Sequence, residues 1–391
     1  MRLDWKYVKI GDVCTVERGG SPRPIDQYIT NSPDGINWIK IGDTSDSMYI
    51  TATEQKIIPE GMKKSRYVKP GDFLLSNSMS FGRPYILKID GCIHDGWLVI
   101  RDDNNLYDKR FLYYYLSAPT TYEKFKGMAV GGVVNNLNSD MVRGVSIPLP
   151  IKNEQCEIAD TLDKVTTLIS LRKQQLAKLD ELVKARFVEL FGEAENKIPV
   201  SEMCNVTGGY SFKSGDISNE GAIKILQIGN VYLDNVSWET INYLPEGFDE
   251  KYSKFMLNEG DIVVALTRPI IQSLGNVKAC IVKSSDLPCL LNQRVGRIVA
   301  KKDKSVFLEF IYGCLMTDDF TRYVESCSIG CSQPNISTKD IENYLIPNAT
   351  YEEQKAYVEF KKQTDKSKLA VQKSLEKLET LKKALMQKYF G

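Results

Sequence analysis

The stretch Ile147-Pro148-Leu149-Pro150-Ile151-Lys152-Asn153-Glu154-Gln155 recurs, loosely rewritten, as Ile346-Pro347-Asn348-Ala349-Thr350-Tyr351-Glu352-Glu353-Gln354, 199 residues later. The register extends in both directions. Asn136-Leu137 stands opposite Asn335-Ile336, and Phe191-Gly192 stands opposite the final Phe390-Gly391. Further upstream the matches persist while their offset drifts, as it does when loops differ in length. Cys14-Thr15-Val16 answers Cys204-Asn205-Val206, and Trp38-Ile39-Lys40-Ile41-Gly42-Asp43 answers Ile225-Leu226-Gln227-Ile228-Gly229-Asn230. Pro59-Glu60-Gly61 answers Pro245-Glu246-Gly247, and Gly71-Asp72 answers Gly260-Asp261. A period this long is no solenoid repeat. It predicts two domains related by duplication, arranged about a pseudo-twofold axis.

Each copy has the same internal order. Residues 1–150 and 193–347 read as short strands broken by Gly, Pro, Asn and Asp turns, with short helical patterns at Arg110–Leu116 and Phe307–Tyr312. This predicts a mixed module, placing the chain in the α+β class. Residues 151–192 and 348–391 read as long helices. Between Pro150 and Gly192 there is neither Gly nor Pro, and Leu162, Ile169, Leu176, Val183 and Leu190 recur every seven residues, with Val165, Leu179 and Phe187 beside the stripe. The C-terminal counterpart carries Val371, Leu375, Leu378, Leu381 and Leu385 among lysines. A single seven-spaced stripe cannot bury itself, so the two helices are expected to pair as an antiparallel coiled coil. Their outward faces would carry Lys173, Lys178, Lys184, Lys373, Lys377 and Lys383, leaving further apolar residues to dock a partner.

The 42% hydrophobic and 26% charged fractions are those of an ordinary globular protein, and no apolar run reaches membrane-spanning length. The N-terminus has no signal-peptide core. Nine cysteines without a C-x-x-C pair point to free thiols in a reducing cytoplasm, and neither to a disulfide framework nor to zinc. The net charge of +1 gives no basic excess, and the segments agree: residues 1–150 hold 19 Lys+Arg against 17 Asp+Glu, and 193–347 hold 15 against 20. Any nucleic-acid surface must be a local cluster.

The chain resembles the specificity subunit of type I restriction–modification systems over essentially its whole length. The residues that carry the resemblance are Gly19-Gly20-Ser21-Pro22, then Trp38–Asp43, Gly71-Asp72-Phe73-Leu74-Leu75-Ser76, Asn136-Leu137-Asn138, the Ile-Pro-Leu-Pro segment, Glu154-Gln155 and the long helix, in that order and twice. The second copy departs at Gly208-Gly209-Tyr210, which lacks the following proline, and at Gln333-Pro334-Asn335-Ile336. The resemblance implies two target-recognition domains (1–150 and 193–347), each reading half of a split double-stranded DNA site. It implies helical spacers (151–192 and 348–391) that dock two methyltransferase subunits, with restriction and translocase subunits in the full complex. It implies no catalytic residue, no metal and no cofactor in this chain.

Base reading needs Arg or Lys for guanine and Asn or Gln for adenine, presented from loops. In the first module the candidates are Arg23, Asn77, Ser78, Ser80, Arg83 and His94, with Lys63, Lys64 and Arg66 as phosphate contacts. In the second they are Thr267, Arg268, Gln272, Asn292, Gln293 and Arg294, with Lys213 on phosphate. His94 is the only histidine. There is no Pro-Pro and no Gly-Lys dipeptide, which excludes the usual target-base motif of an adenine methyltransferase and a P-loop. Pro33-Asp34 with Glu54-Gln55-Lys56 superficially matches a metal-nuclease pattern, but the second copy has no equivalent. The reading from a different class is a coiled-coil scaffold that binds proteins and not DNA.

Overall fold

In the computed structural model, residues 5–77, 82–129, 136–327 and 335–391 are described. They form two compact units: Met1–Lys173 with Lys373–Gly391, and Gln174–Gln372.

In the first unit, one five-stranded sheet runs Ile29–Thr30, Gln55–Ile57, Ile36–Ile39, Gly91–Ile93, Arg66–Val68 in spatial order. A second runs Thr15–Arg18, Trp97–Arg101, Phe73–Ser76, Pro84–Leu87, Tyr49–Ile50. Phe73, Leu74 and Leu75 are all buried because both faces of the second sheet are covered. Phe73 and Leu75 face helices Lys109–Leu116 and Pro119–Ala129, while Leu74 joins Ile39, Val68 and Ile93 of the other sheet.

The second unit repeats this plan. Cys204–Gly208, Val295–Ala300, Ile262–Ala265 and Ala279–Ile281 form the doubly covered sheet, and Asn242–Leu244, Ile223–Leu226 and Cys289–Leu291 form the other. Ile262 and Val264 join the core that holds helix Leu308–Leu315, while Val263 and Ala265 face Leu226 and Leu291. The central pairs Ile36–Ile39 with Gly91–Ile93 and Ile223–Leu226 with Cys289–Leu291 are parallel in both units. A hairpin, Ile270–Ile271 with Asn276–Val277, is found in the second unit.

The repeated motifs have local causes. Gly71 and Gly260 sit at φ +91° and +88°, the left-handed region glycine adopts without penalty. The following Asp72 and Asp261 carboxylates accept from the Lys69 and Asn258 backbone N–H groups at 3.0 and 2.8 Å, closing the same turn. Asp43 and Asn230 likewise accept from the N–H groups of Lys40 and Gln227 at 2.7 and 2.9 Å.

Two forty-residue helices, Lys152–Phe191 and Tyr351–Phe390, each contribute one half to either unit. In the first unit Arg172 Nε donates to Ser374 Oγ at 3.3 Å, and Leu162 lies in the core against which Leu385 packs, so the halves run antiparallel. In the second unit Lys368 pairs with Asp180 and the Phe187 ring meets Tyr357, again antiparallel. Leu162, Val371 and Leu375 are buried, and Ile169, Leu176, Val183, Leu190, Leu378 and Leu385 are half-buried. Leu381 departs from the expected stripe. It is 46% exposed, because the seven-residue spacing from Val371 continues through Leu378 and Leu385. Polar residues occupy seam positions too: Thr364 is buried, and the Arg186 guanidinium lies 5.8 Å from the Phe360 ring. Such residues fix register at some cost in stability. The six lysines expected outward are all exposed.

Each unit is closed by the end of a long helix. Phe390 packs on Phe111 at 5.6 Å between ring centroids in the first unit, and Phe191 packs on Phe310 at 5.0 Å in the second. No helix among the described residues is long and apolar enough to cross a membrane.

Candidate nucleic-acid interface

A tight turn at the end of a buried strand organises the candidate residues of each unit. In the first unit, His94 O accepts from Trp97 N–H at 3.2 Å, which places Asp95 and Gly96 at the corners. In the second, Asn292 O accepts from Val295 N–H at 3.0 Å, which places Gln293 and Arg294 there. The surroundings correspond bond for bond. Gly19 N–H donates to Trp97 O at 2.9 Å, as Gly209 N–H does to Val295 O at 3.2 Å. Gly20 N–H donates to Ile93 O at 3.2 Å, as Tyr210 N–H does to Leu291 O at 2.9 Å. Asn77 N–H reaches Gly96 O at 3.0 Å, as Leu266 N–H reaches Arg294 O at 3.0 Å. Leu137 N–H closes on Asn77 O at 3.0 Å, as Ile336 N–H closes on Leu266 O at 2.9 Å.

These bonds explain the glycine motif and adjust its alignment. A Cβ on Gly19 would stand 2.1 Å from His94 O, and one on Gly209 would stand 2.2 Å from Asn292 O. Gly19 therefore corresponds to Gly209, and Gly20 to Tyr210.

In the first unit, Arg23, Asn77 and His94 meet at the turn. Asn77 is 1% exposed and its Nδ2 donates to Asp95 O at 2.9 Å, so it braces the turn from beneath. His94 is a second brace. Its Nε2 accepts from Ile41 N–H at 3.1 Å, and its Nδ1 lies 2.8 Å from Gly96 N–H. The ring also lies between Trp38 and Trp97, with centroids at 6.4 and 6.3 Å. Burial holds this imidazole below its ordinary pKa, which favours the neutral ring, the form in which one unprotonated nitrogen can accept. Asp95 accepts from Ser21 Oγ at 2.8 Å and pairs with Arg23 at 3.4 Å. The hydroxyl bond, aided by neighbouring positive charge, keeps its carboxyl below the usual range. The Arg23 side chain is 81% exposed, and an ion pair that open is worth roughly 0–1 kcal/mol, little enough to be exchanged for another acceptor.

Lys64 donates to Tyr28 Oη at 2.7 Å, and Arg66 pairs with Glu17 at 3.2 Å, whereas the exposed Lys63 has no partner among the described residues. Gly20 abuts the Lys64 backbone, which brings this cationic loop beside the turn. Arg83 is exposed and borders an open cavity of about 570 Å³ with Ser45, Asp46, Tyr113 and Tyr122. Ser78 and Ser80 lie outside the described residues.

In the second unit, Lys213, Arg268, Gln272, Gln293 and Arg294 are exposed, and their side chains make no hydrogen bond or ion pair among the described residues. Thr267 is half-buried and bridges Asn335 through the backbone, and Asn292 is half-buried with its N–H on Leu226 O. Thr267, Arg268 and the turn come together through the Leu266–Arg294 bond, and the Lys213 loop joins through Gln293 N–H, which donates to Tyr210 O at 2.9 Å. Gln272 stands apart on the hairpin.

Sequence reasoning overlooked two features. Ser21 and Asp95 hold the first turn, and Arg18 Nε donates to Asp95 O at 3.1 Å. Beside the second turn, Tyr210, Phe212, Phe248, Tyr252 and Phe255 form an aromatic cluster, with Tyr210 and Tyr252 centroids 4.6 Å apart. Aromatic spacing at 248, 252 and 255 was the available signal. The nuclease-like pattern dissolves: Lys56 Nζ donates to Pro33 O at 2.7 Å and Glu54 pairs with Lys40. Among the described residues, no group of three or more His, Cys, Asp or Glu is placed to hold a metal ion.

The type I restriction modification DNA specificity domain model matches residues 2–181 and again 195–382. The MjaVIII type I restriction enzyme specificity subunit of Methanocaldococcus jannaschii is 29% identical over 402 residues, covering 98% of this chain and 91% of the relative. The EcoBI specificity subunit of Escherichia coli is 20% identical over 428 residues, covering 99% and 85%. A chain from a structural study of type I R-M complex assembly superposes with a TM-score of 0.63 at 16% identity, covering 99% of this chain and 97% of that one. The type I S subunit from M. genitalium superposes at 0.56 with 16% identity, covering 100% and 97%, so the fold is shared.

Proposed function

The chain belongs to the type I restriction modification DNA specificity family, and on that premise we propose that it reads a bipartite double-stranded DNA site and brings catalytic subunits to it. One observation carries the reading. Two units hold the same turn in the same frame of backbone hydrogen bonds, yet carry Asp-Gly at its corners in one and Gln-Arg in the other. A conserved frame with exchanged side chains is what two readers of different half-sites require, since bases are told apart by side-chain donors and acceptors. Lys63, Lys213 and Arg268 beside the turns would hold phosphates, and Arg23, Gln293 and Arg294 would face bases.

In this reading residues 1–150 and 193–347 are the target-recognition domains, and the helical segments 151–192 and 348–391 join them. Two tethered readers gain effective concentration over either alone. The chain itself supplies no catalytic group. The helices offer Leu168, Leu171, Leu182, Val188, Leu369 and Leu381, all exposed, as apolar contacts for two methyltransferase subunits. Restriction and translocase subunits would join that core complex. Family membership is the reason for preferring this reading to a scaffold without DNA binding.

The test is co-expression with an adenine methyltransferase encoded beside this chain, followed by mapping of methylated adenines across the host genome. A split motif with two short defined halves and a fixed gap is expected. A continuous motif would mean that only one unit reads. No methylation from a complex shown to be assembled would favour the scaffold.

A further inference from the structure

The two turns are equivalent in backbone and opposite in what they present. In the first unit the Asp95 carboxylate is engaged by Ser21 and Arg23. Gly96 carries no side chain, and a Cβ there would stand 2.2 Å from His94 Cε1. That corner is therefore blocked by the imidazole brace. In the second unit Asn292 replaces the histidine, and both corners carry long, exposed side chains with no partner among the described residues, Gln293 and Arg294. Consecutive corner residues of a tight turn diverge, so their side chains can meet adjacent base pairs. Exposed cations flank them, Lys213 on the loop bonded through Tyr210 and Arg268 on the segment bonded through Leu266. A polar tip between phosphate-binding cations suits a major-groove finger, where glutamine matches adenine N6/N7 and arginine matches guanine O6/N7.

We propose that Gln293 and Arg294 are specificity determinants of the half-site held by the second unit, Gln293 reading an adenine and Arg294 a guanine. This rests on the DNA-reading function proposed above. The first unit reads its half differently, through Arg23 steadied by Asp95, so the halves are recognised by non-equivalent residues on equivalent frames.

The experiment compares genomic adenine methylation by the assembled complex for the wild type, Gln293→Ala, Arg294→Ala, Arg294→Lys and Lys302→Ala. Lys302 is an exposed lysine beyond the opposite end of the strand that follows the turn. Both corner positions are exposed, so folding should not suffer, and gel filtration of the complex checks assembly. Gln293→Ala should relax one base position of one half, with discrimination there falling on the order of 10-fold or more. Arg294→Ala should relax a neighbouring position of the same half. Arg294→Lys should relax it too, because lysine keeps the charge and loses the bidentate fork. Lys302→Ala should leave the motif as it is. The inference is overturned if the corner variants keep the wild-type motif, or if they weaken all sites uniformly, as loss of a phosphate contact would. A wild-type complex with no split motif overturns the underlying reading as well; a split wild-type motif that the variants leave intact overturns this inference alone.

Discussion

The buried carboxamide of Gln155 accepts a hydrogen bond from the backbone N–H of Asp108 at 2.7 Å and donates to the carbonyls of Leu106 and Pro150 at 3.1 and 2.9 Å. Gln354 does the same in the second unit, accepting from Phe307 N–H at 3.1 Å and donating to Ala349 O at 2.9 Å. A glutamine near the start of each long helix thus ties that helix to its module. Replacing Gln155 with leucine strands one buried N–H and two carbonyls, each unmet group costing about 1–3 kcal/mol. Gln155→Leu is expected to destabilise the first unit by about 3 kcal/mol, read as an earlier urea unfolding transition. Gln354→Leu should do likewise to the second.

Phe390 closes the first core from the far end of the chain. Its ring meets Phe111 and Tyr115 at 5.6 and 5.8 Å, and its carbonyl accepts from Thr120 Oγ1 at 2.8 Å. Truncating a buried phenylalanine costs about 3–5 kcal/mol. Phe390→Ala should therefore lower the stability of the first unit by that amount. Hydrogen exchange should show faster opening of helix Lys109–Leu116, with Leu308–Leu315 in the second unit unchanged.

What could be read from the sequence follows from where the physical constraint is local. The Gly-Asp pairs announce themselves because a left-handed backbone and a turn-closing carboxylate need those residues at adjacent positions. The long helices announce themselves because uninterrupted seven-residue spacing has few other uses. Asn77 and His94 look identical in sequence to base-reading residues, since polar side chains after a buried strand suit either an exposed tip or a buried brace. Only the path of the Gly19-Gly20 loop over the turn decides between them. Asp95 passed unnoticed for the same reason: its partner Ser21 is 74 residues away. Leu381 fits the spacing of leucines in one dimension and falls outside the seam in three.

His94 predicts a pH dependence. Burial lowers its folded-state pKa, so the unfolded chain takes up a proton near the ordinary value of 6.5 while the folded chain resists. The contribution to stability is then complete above about 6.5 and is lost as pH falls below it. One linked proton changes stability by at most about 1.4 kcal/mol per pH unit. Unfolding measured between about pH 5 and 7 should show this slope in the first unit. In His94→Gln the slope over this window should shrink, because the chain holds no other histidine. A slope unchanged by that substitution would mean the brace is not what titrates.

The cations of the first loop and of the Lys213 loop separate by what they touch at rest. Lys63 and Lys213 are exposed and unpaired among the described residues, while Arg66 is matched by Glu17 at 3.2 Å. A lysine that neutralises a phosphate releases a counterion on binding, and each such contact steepens the salt dependence of affinity by about 0.9 in the log–log slope. Lys63→Ala and Lys213→Ala should each reduce the slope by about that much and weaken all sequences by a common factor. Arg66→Ala should change it far less, because the Arg66 guanidinium is already engaged by Glu17 and has less charge to offer a phosphate. Fluorescence anisotropy of the assembled complex on a duplex carrying the wild-type motif, at several salt concentrations, reads all three. A slope that Lys213→Ala leaves unchanged would remove that lysine from the interface. A changed base preference would move it from phosphate to base contact.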